Sequence, residues 1–208
     1  MKDLKIYKDE SGADKGDIHL MVNNLCYHGC KLCCNRQYDL ASVPVITVEE
    51  LRNAHTVTLT GGEPFLLPGL DGLLSGLRHD YKNVKNLYVY TSGAEMFYQR
   101  SRWNRWGAAG LINGYNISPK NETDFKALEM MFRDSENIYE LFTGVKHNRF
   151  IFTEGGLFNH HYYETFLERL RPYCFAETWL SFDVEYRQWQ EDFKPNGGVW
   201  RRLPIFFF

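Results

Sequence analysis

Residues 56–91 read TVTLTGGEPFLLPGLDGLLSGLRHDYKNVKNLYVYT, a stretch that holds one complete strand–helix–strand unit. It opens on a short β-like run, residues 56–60, which ends at the paired glycines Gly61 and Gly62. Beyond Pro64, the residues Leu70, Leu73, Leu74 and Leu77 fall at i, i+3, i+4 and i+7, so one helical face is apolar. A second β-like run, residues 86–91, closes the unit. Two strands separated by one helix are expected to lie parallel, joined by a crossover.

Outward from this unit the alternation continues. Further β-like runs occupy residues 18–24, 111–118, 150–153 and 178–183, with mostly helical patterns between them. Thr47-Val48-Glu49-Glu50 is a capping-box pattern that opens a short helix, because the hydroxyl and the carboxylate satisfy the first free N–H groups. Tyr163, Phe166, Leu167 and Leu170 repeat the helical spacing. Six βα units in about 180 residues are too few for a closed eight-stranded barrel, which takes roughly 250. The expected fold is therefore α/β, an open, partial (β/α)6 TIM-like barrel of parallel strands. At 208 residues the chain is expected to form a single domain, residues 1–208, with an apolar tail over residues 199–208. The tail ends Leu203-Pro204-Ile205-Phe206-Phe207-Phe208 and is expected to be ordered over apolar surface, because burying each such side chain contributes about 1.5–3 kcal/mol.

The net charge of −2 gives no electrostatic reason to bind nucleic acid or an anionic membrane. No run approaches the roughly 20 apolar residues of a membrane helix, and the opening MKDLKIYKDE lacks a signal-peptide core, so a cytoplasmic location is expected. Arg100, Arg102 and Arg105 interleave with Tyr98, Trp103 and Trp106, which reads as an amphipathic helix with a solvated basic face rather than a nucleic-acid surface. His160 and His161 read as a surface pair, since adjacent side chains on a helix point apart.

Of five cysteines, four lie within residues 26–34 and Cys174 stands far away, which is no disulfide framework and suggests metal. Cys26, Cys30 and Cys33 have the spacing C-x3-C-x2-C, which lets three thiolates reach one iron–sulfur cluster from a single loop. Three ligands leave one iron open for chemistry. The competing reading is a structural zinc knuckle with Cys34 or His28 as fourth ligand, although zinc sites usually come as two separated ligand pairs. Cys34 otherwise reads as a thiol beside the site, and Cys174 as a small core hydrophobe.

The cysteine spacing just after the first strand, followed by Gly61-Gly62-Glu63-Pro64 at the end of the second, resembles the radical S-adenosylmethionine (SAM) superfamily. That resemblance implies a [4Fe–4S] cluster on Cys26, Cys30 and Cys33. It also implies reductive cleavage of SAM to a 5′-deoxyadenosyl radical that abstracts hydrogen from a substrate. Gly61, Gly62, Glu63 and Pro64 match the superfamily's GGEP motif, which contacts the amino group of SAM. Barrel enzymes place their chemistry at the C-terminal ends of the strands. Those ends carry Thr91-Ser92, Ser118-Pro119-Lys120, Thr153-Glu154 and Asp183, and Ser92, Ser118 and Lys120 are the further candidate SAM contacts. A hydroxyl at 118 and an ammonium at 120 suit the SAM carboxylate.

Two subfamilies share parts of this pattern. Ser118-Pro119-Lys120 resembles 7-carboxy-7-deazaguanine synthases, though Cys34-Asn35-Arg36 replaces their aspartate–threonine pair. The C-x3-C-x2-C-x-N pattern and Val89-Tyr90-Thr91 resemble glycyl-radical enzyme activases. The implied partners are a small-molecule substrate or a partner protein, and a reductant such as flavodoxin or ferredoxin. The alternative from a different class is a non-catalytic metal-binding module.

Overall fold

The computed structural model describes residues 16–100, 106–107, 109–155, 158–174, 180–192 and 200–204. The expectations for Arg102, Trp103, Arg105, the Cys174 side chain and residues 205–208 lie outside the described residues.

Among the described residues, seven strands form one all-parallel sheet: β1 (Asp17–Asn23), β2 (Thr56–Gly61), β3 (Asn86–Thr91), β4 (Gly114–Ile117), β5 (Asn148–Glu154), β6 (Phe182–Gln188) and β7 (Trp200–Arg202). The helices are α1 (Val48–Asn53), α2 (Leu70–Asp80), α3 (Ala94–Tyr98), α4 (Glu122–Phe132), α5 (Ser135–Phe142) and α6 (His160–Cys174). Across the sheet the order is β6-β5-β4-β3-β2-β1-β7. From β1 to β6 the chain steps across the sheet without reversing. Because parallel crossovers are right-handed, such a path puts the connecting helices on one face. The result is a partial TIM-like α/β fold, open between β6 and β7.

The two faces of the sheet differ chemically, as the period of two along each strand requires. Ile18, Leu20, Val22, Val57, Leu59, Leu87, Val89, Phe150 and Phe152 join one buried core with Leu70, Leu74 and Leu77 of α2, Phe125 of α4 and Phe166 of α6. Within it Phe150 stacks on Phe182 with centroids 4.7 Å apart, and Phe152 on Tyr163 at 4.5 Å. The intervening positions include His19, Thr58, Thr60, Tyr90, Thr153, Glu185 and Arg187. A buried parallel sheet usually reads as continuous apolar runs; here the alternation marks a helix-free face lined with polar groups.

Both expected helical stripes are buried in this core, with Leu73 and Leu167 at their margins. The Thr47 capping box forms: the Thr47 hydroxyl accepts from Glu50 N–H, and the Glu50 carboxylate accepts from Thr47 N–H at 2.9 Å.

Three expectations change. The strand count is seven rather than six, because the first part of the tail pairs with β1, His19 opposite Trp200 and Met21 opposite Arg202. Trp200 stacks on His19 at 4.9 Å, Arg201 donates to Glu50 at 2.7 Å, and Arg202 donates to the Val43 carbonyl at 2.9 Å. Leu203 packs against the core. The last long strand is Phe182–Gln188, shifted from residues 178–183, because Glu185 finds Arg149 at 3.3 Å and also Arg187, so charged residues continue the strand. β4 is shorter than residues 111–118 and begins only at Gly114.

Candidate functional site

In a parallel sheet all strands end at one edge, and the loops there share one space. Here they enclose a cavity of about 590 Å³, within the usual range for sites that hold small molecules or cofactors.

The cysteine loop leaves β1 and is bound at once to the turn after β2. Gly62 N–H donates to Asn23 O at 2.8 Å and Glu63 N–H to Leu25 O at 2.7 Å, extending the β1–β2 pairing past the strand ends. This passage is so close that neither position admits a side chain. A Cβ on Gly61, whose φ is +133°, would stand 2.2 Å from Asn23 O, and one on Gly62 would stand 2.1 Å from Leu25 O. The glycines are thus required by the chain's own backbone, in addition to leaving room at the cavity wall. The far end of the loop is tied to the same turn, where Asn35 Nδ2 donates to Gly61 O at 2.6 Å and Tyr38 Oη to Asn35 Oδ1 at 2.8 Å.

Glu63 is buried, and its carboxylate turns toward the end of β3. It accepts from Phe65 N–H at 3.3 Å, from the Thr91 hydroxyl at 2.9 Å and from Ser92 N–H at 3.0 Å. Burial pushes this carboxyl up from the ordinary 4.5 to about 7, against the pull of those three hydrogen bonds. With the folded value above the unfolded one, Glu63 ionises earlier in the unfolded chain. Its contribution to stability is therefore complete below about 4.5 and is lost as pH rises through about 7. Thermal melts of the ligand-free protein and of Glu63→Gln should differ in slope over that interval; parallel curves would contradict the assignment.

The third wall comes from the end of β4 and the start of α4. Ser118 is buried and its hydroxyl donates to Ile151 O at 2.8 Å, whereas Lys120 Nζ donates to Thr153 Oγ1 at 2.7 Å. An ammonium carries three donors. Of the two expected carboxylate contacts, Lys120 is therefore the one with donors left beyond this bond.

Asn121 caps α4 in a capping box with Asp124, accepting from Asp124 N–H at 3.0 Å. Asp124 is buried beneath the cysteine loop, with its Oδ2 accepting from Lys120 N–H at 2.8 Å and its Oδ1 lying 3.2 Å from His28 Nδ1. Burial raises its carboxyl, an effect opposed by those contacts. His28 Nε2 lies 3.5 Å from Ser92 Oγ, so the loop is clamped between β3 and α4.

Burial likewise pushes the Cys26 and Cys34 thiols up, and burial with the nearby Asp124 charge pushes Cys30 up to about 11. Such thiols become thiolates at neutral pH only when a cation stands among them, as for metal ligands. No three His, Cys, Asp or Glu side chains among the described residues converge as ligands of one metal ion. A closed zinc site requires four ligands that meet at one ion. Cys26, Cys30 and Cys33 come from one loop and all face the same cavity.

Of the residues singled out in the sequence, Cys26, Cys30, Cys33, Gly61, Gly62, Glu63, Ser92, Ser118 and Lys120 all line the cavity. Pro64 does not; it is buried and starts the short 3-10 turn Pro64–Leu66. Cys34 and His28 also line it. Sequence reasoning missed Asn121 and Asp124, whose N-x-x-D spacing is itself a helix-start signal. It also missed His19, Glu185 and Trp200; of these only His19 sits in a strand whose alternation was legible.

No family model matches this chain, and no curated protein matches it. No helix among the described residues is long and apolar enough to cross a membrane.

Proposed function

We propose that this chain is a radical SAM enzyme that abstracts hydrogen from a small-molecule substrate. The observation that supports this most is a juxtaposition. The C-x3-C-x2-C loop is hydrogen-bonded to the GGEP turn, and both face Ser92, Ser118 and Lys120 across one cavity at the C-terminal edge of an all-parallel sheet. Cys26, Cys30 and Cys33 would hold a [4Fe–4S] cluster. When bound and reduced by flavodoxin or ferredoxin, such a cluster would supply the electron for cleavage of SAM to methionine and a 5′-deoxyadenosyl radical, the species that would take hydrogen from the substrate.

The protein's own residues bind, orient and shield. The turn at Gly61–Gly62–Glu63 offers main-chain polar groups and a buried carboxylate to the SAM amino group. Lys120 offers its ammonium to the SAM carboxylate. Tyr90 and Trp200 supply flat apolar surface on the wall. Polar side chains of β5 and β6, among them Thr153, the buried Glu185 and Arg187, line the remaining volume for a substrate.

Anaerobic reconstitution with ferrous iron and sulfide tests the reading. A brown protein absorbing near about 400 nm, which releases 5′-deoxyadenosine from SAM under reduction, is the expected result. A colourless protein binding one zinc ion per chain would instead make it a non-catalytic metal-binding module.

A further inference from the structure

We propose that Asn121, at the N-terminus of α4, is a positioning residue that donates an N–H···S hydrogen bond to Cys30 and thereby raises the reduction potential of the cluster held there. The inference rests on the radical SAM reading and adds a residue to it that lies far from the cysteine motif.

Three observations support it. Asn121 Nδ2 stands 3.7 Å from Cys30 Sγ and 3.4 Å from His28 Nδ1, and its NH2 group carries two N–H donors, enough for one toward each. The orientation of the amide is set by its other end. Asn121 Oδ1 accepts from Asp124 N–H at 3.0 Å as the helix cap, which leaves the NH2 group facing the cysteine loop.

Asp124 fixes the start of the helix in turn. It is buried, and its Oδ2 accepts from Lys120 N–H at 2.8 Å and from Asn121 N–H at 3.3 Å, so the first turn of α4 is held where the Asn121 amide meets the cysteine loop.

A donor aimed at a ligating thiolate stabilises the more negative, reduced cluster and so raises its potential. Removing the donor should lower it.

The full chain, reconstituted anaerobically, tests this by iron and sulfide content, thermal melting and a redox titration followed by electron paramagnetic resonance. Two variants separate the sulfur bond from the cap. Asn121→Ala loses both, while Asn121→Ser keeps a side chain that caps helices as well as Asn does but is shorter. Both variants should retain four irons, and both should shift the one-electron reduction equilibrium about tenfold toward the oxidised cluster, about 59 mV more negative. Only the Ala variant should also melt lower.

An unchanged potential in both variants, or a shift in the Ala variant alone that follows its loss of stability, would overturn the assignment. A wild-type chain that takes up no cluster overturns the radical SAM reading itself, and this assignment with it.

Discussion

Replacing any one of Cys26, Cys30 or Cys33 by Ala should reduce 5′-deoxyadenosine formation to the detection limit, while the fold melts at nearly the wild-type temperature. The first half follows from the proposed ligand set: three thiolates leave one iron open, and losing one removes both the geometry and the charge that hold the group. The second half follows from where these residues sit. None belongs to the buried core, and surface or half-buried changes outside it usually cost no more than about 0.5 kcal/mol.

Cys34→Ala is the internal control. The Cys34 thiol donates to the Asn35 side-chain Oδ1 at a long 3.6 Å and lies outside the proposed C-x3-C-x2-C ligand set, so this variant should keep four irons and most of its turnover. A zinc knuckle that used Cys34 would behave oppositely, losing its ion in Cys34→Ala. Iron and zinc analysis of the four single variants separates the outcomes.

Gly62→Val should lower the melting temperature and lose iron together with SAM. The sequence suggests a more selective result, because a glycine in a GGEP-like turn reads as space left for the ligand. The geometry adds a second demand. A Cβ at residue 62 would lie 2.1 Å from Leu25 O and 2.6 Å from Leu25 C, which is backbone and cannot rotate away. Leu25 immediately precedes Cys26, so relief of that overlap moves the cysteine loop. Overpacking of this kind costs about 3 kcal/mol or more. In a chain of this size that corresponds to a fall in Tm of roughly 6–12 °C. If the variant kept a full complement of iron and lost only SAM affinity, the glycine would act through ligand space alone. If it kept both, the passage beside Leu25 would be looser than the structure has it.

The fold was legible wherever a local pattern carried it. The stripe Leu70, Leu73, Leu74, Leu77 predicted α2, and the runs at residues 56–60 and 86–91 predicted β2 and β3 within a residue or so, because core burial imposes periods of 3.6 and 2 directly on the sequence. β7 was not legible. Three residues, two of them Arg201 and Arg202, show no periodicity, and they form a strand only because β1 offers a free edge and Glu50 and the Val43 carbonyl accept their guanidinium groups. The position of β6 was hidden for a similar reason: Glu185 and Arg187 look like loop residues until Arg149 is placed beside them.

The candidate site divides along the same line. The three cysteines and the Gly61–Glu63 turn are short-range motifs, and the sequence alone determined that soft ligands on one loop precede a tight glycine turn, each at the end of a strand. What the tertiary structure decided is how those motifs are held. Asn121 and Asp124 are about ninety residues from His28 and Cys30, and no spacing rule links them. A hydrogen bond between groups so far apart in the chain exists only because a parallel sheet gathers every strand end at one edge, bringing the start of α4 beneath the loop that follows β1.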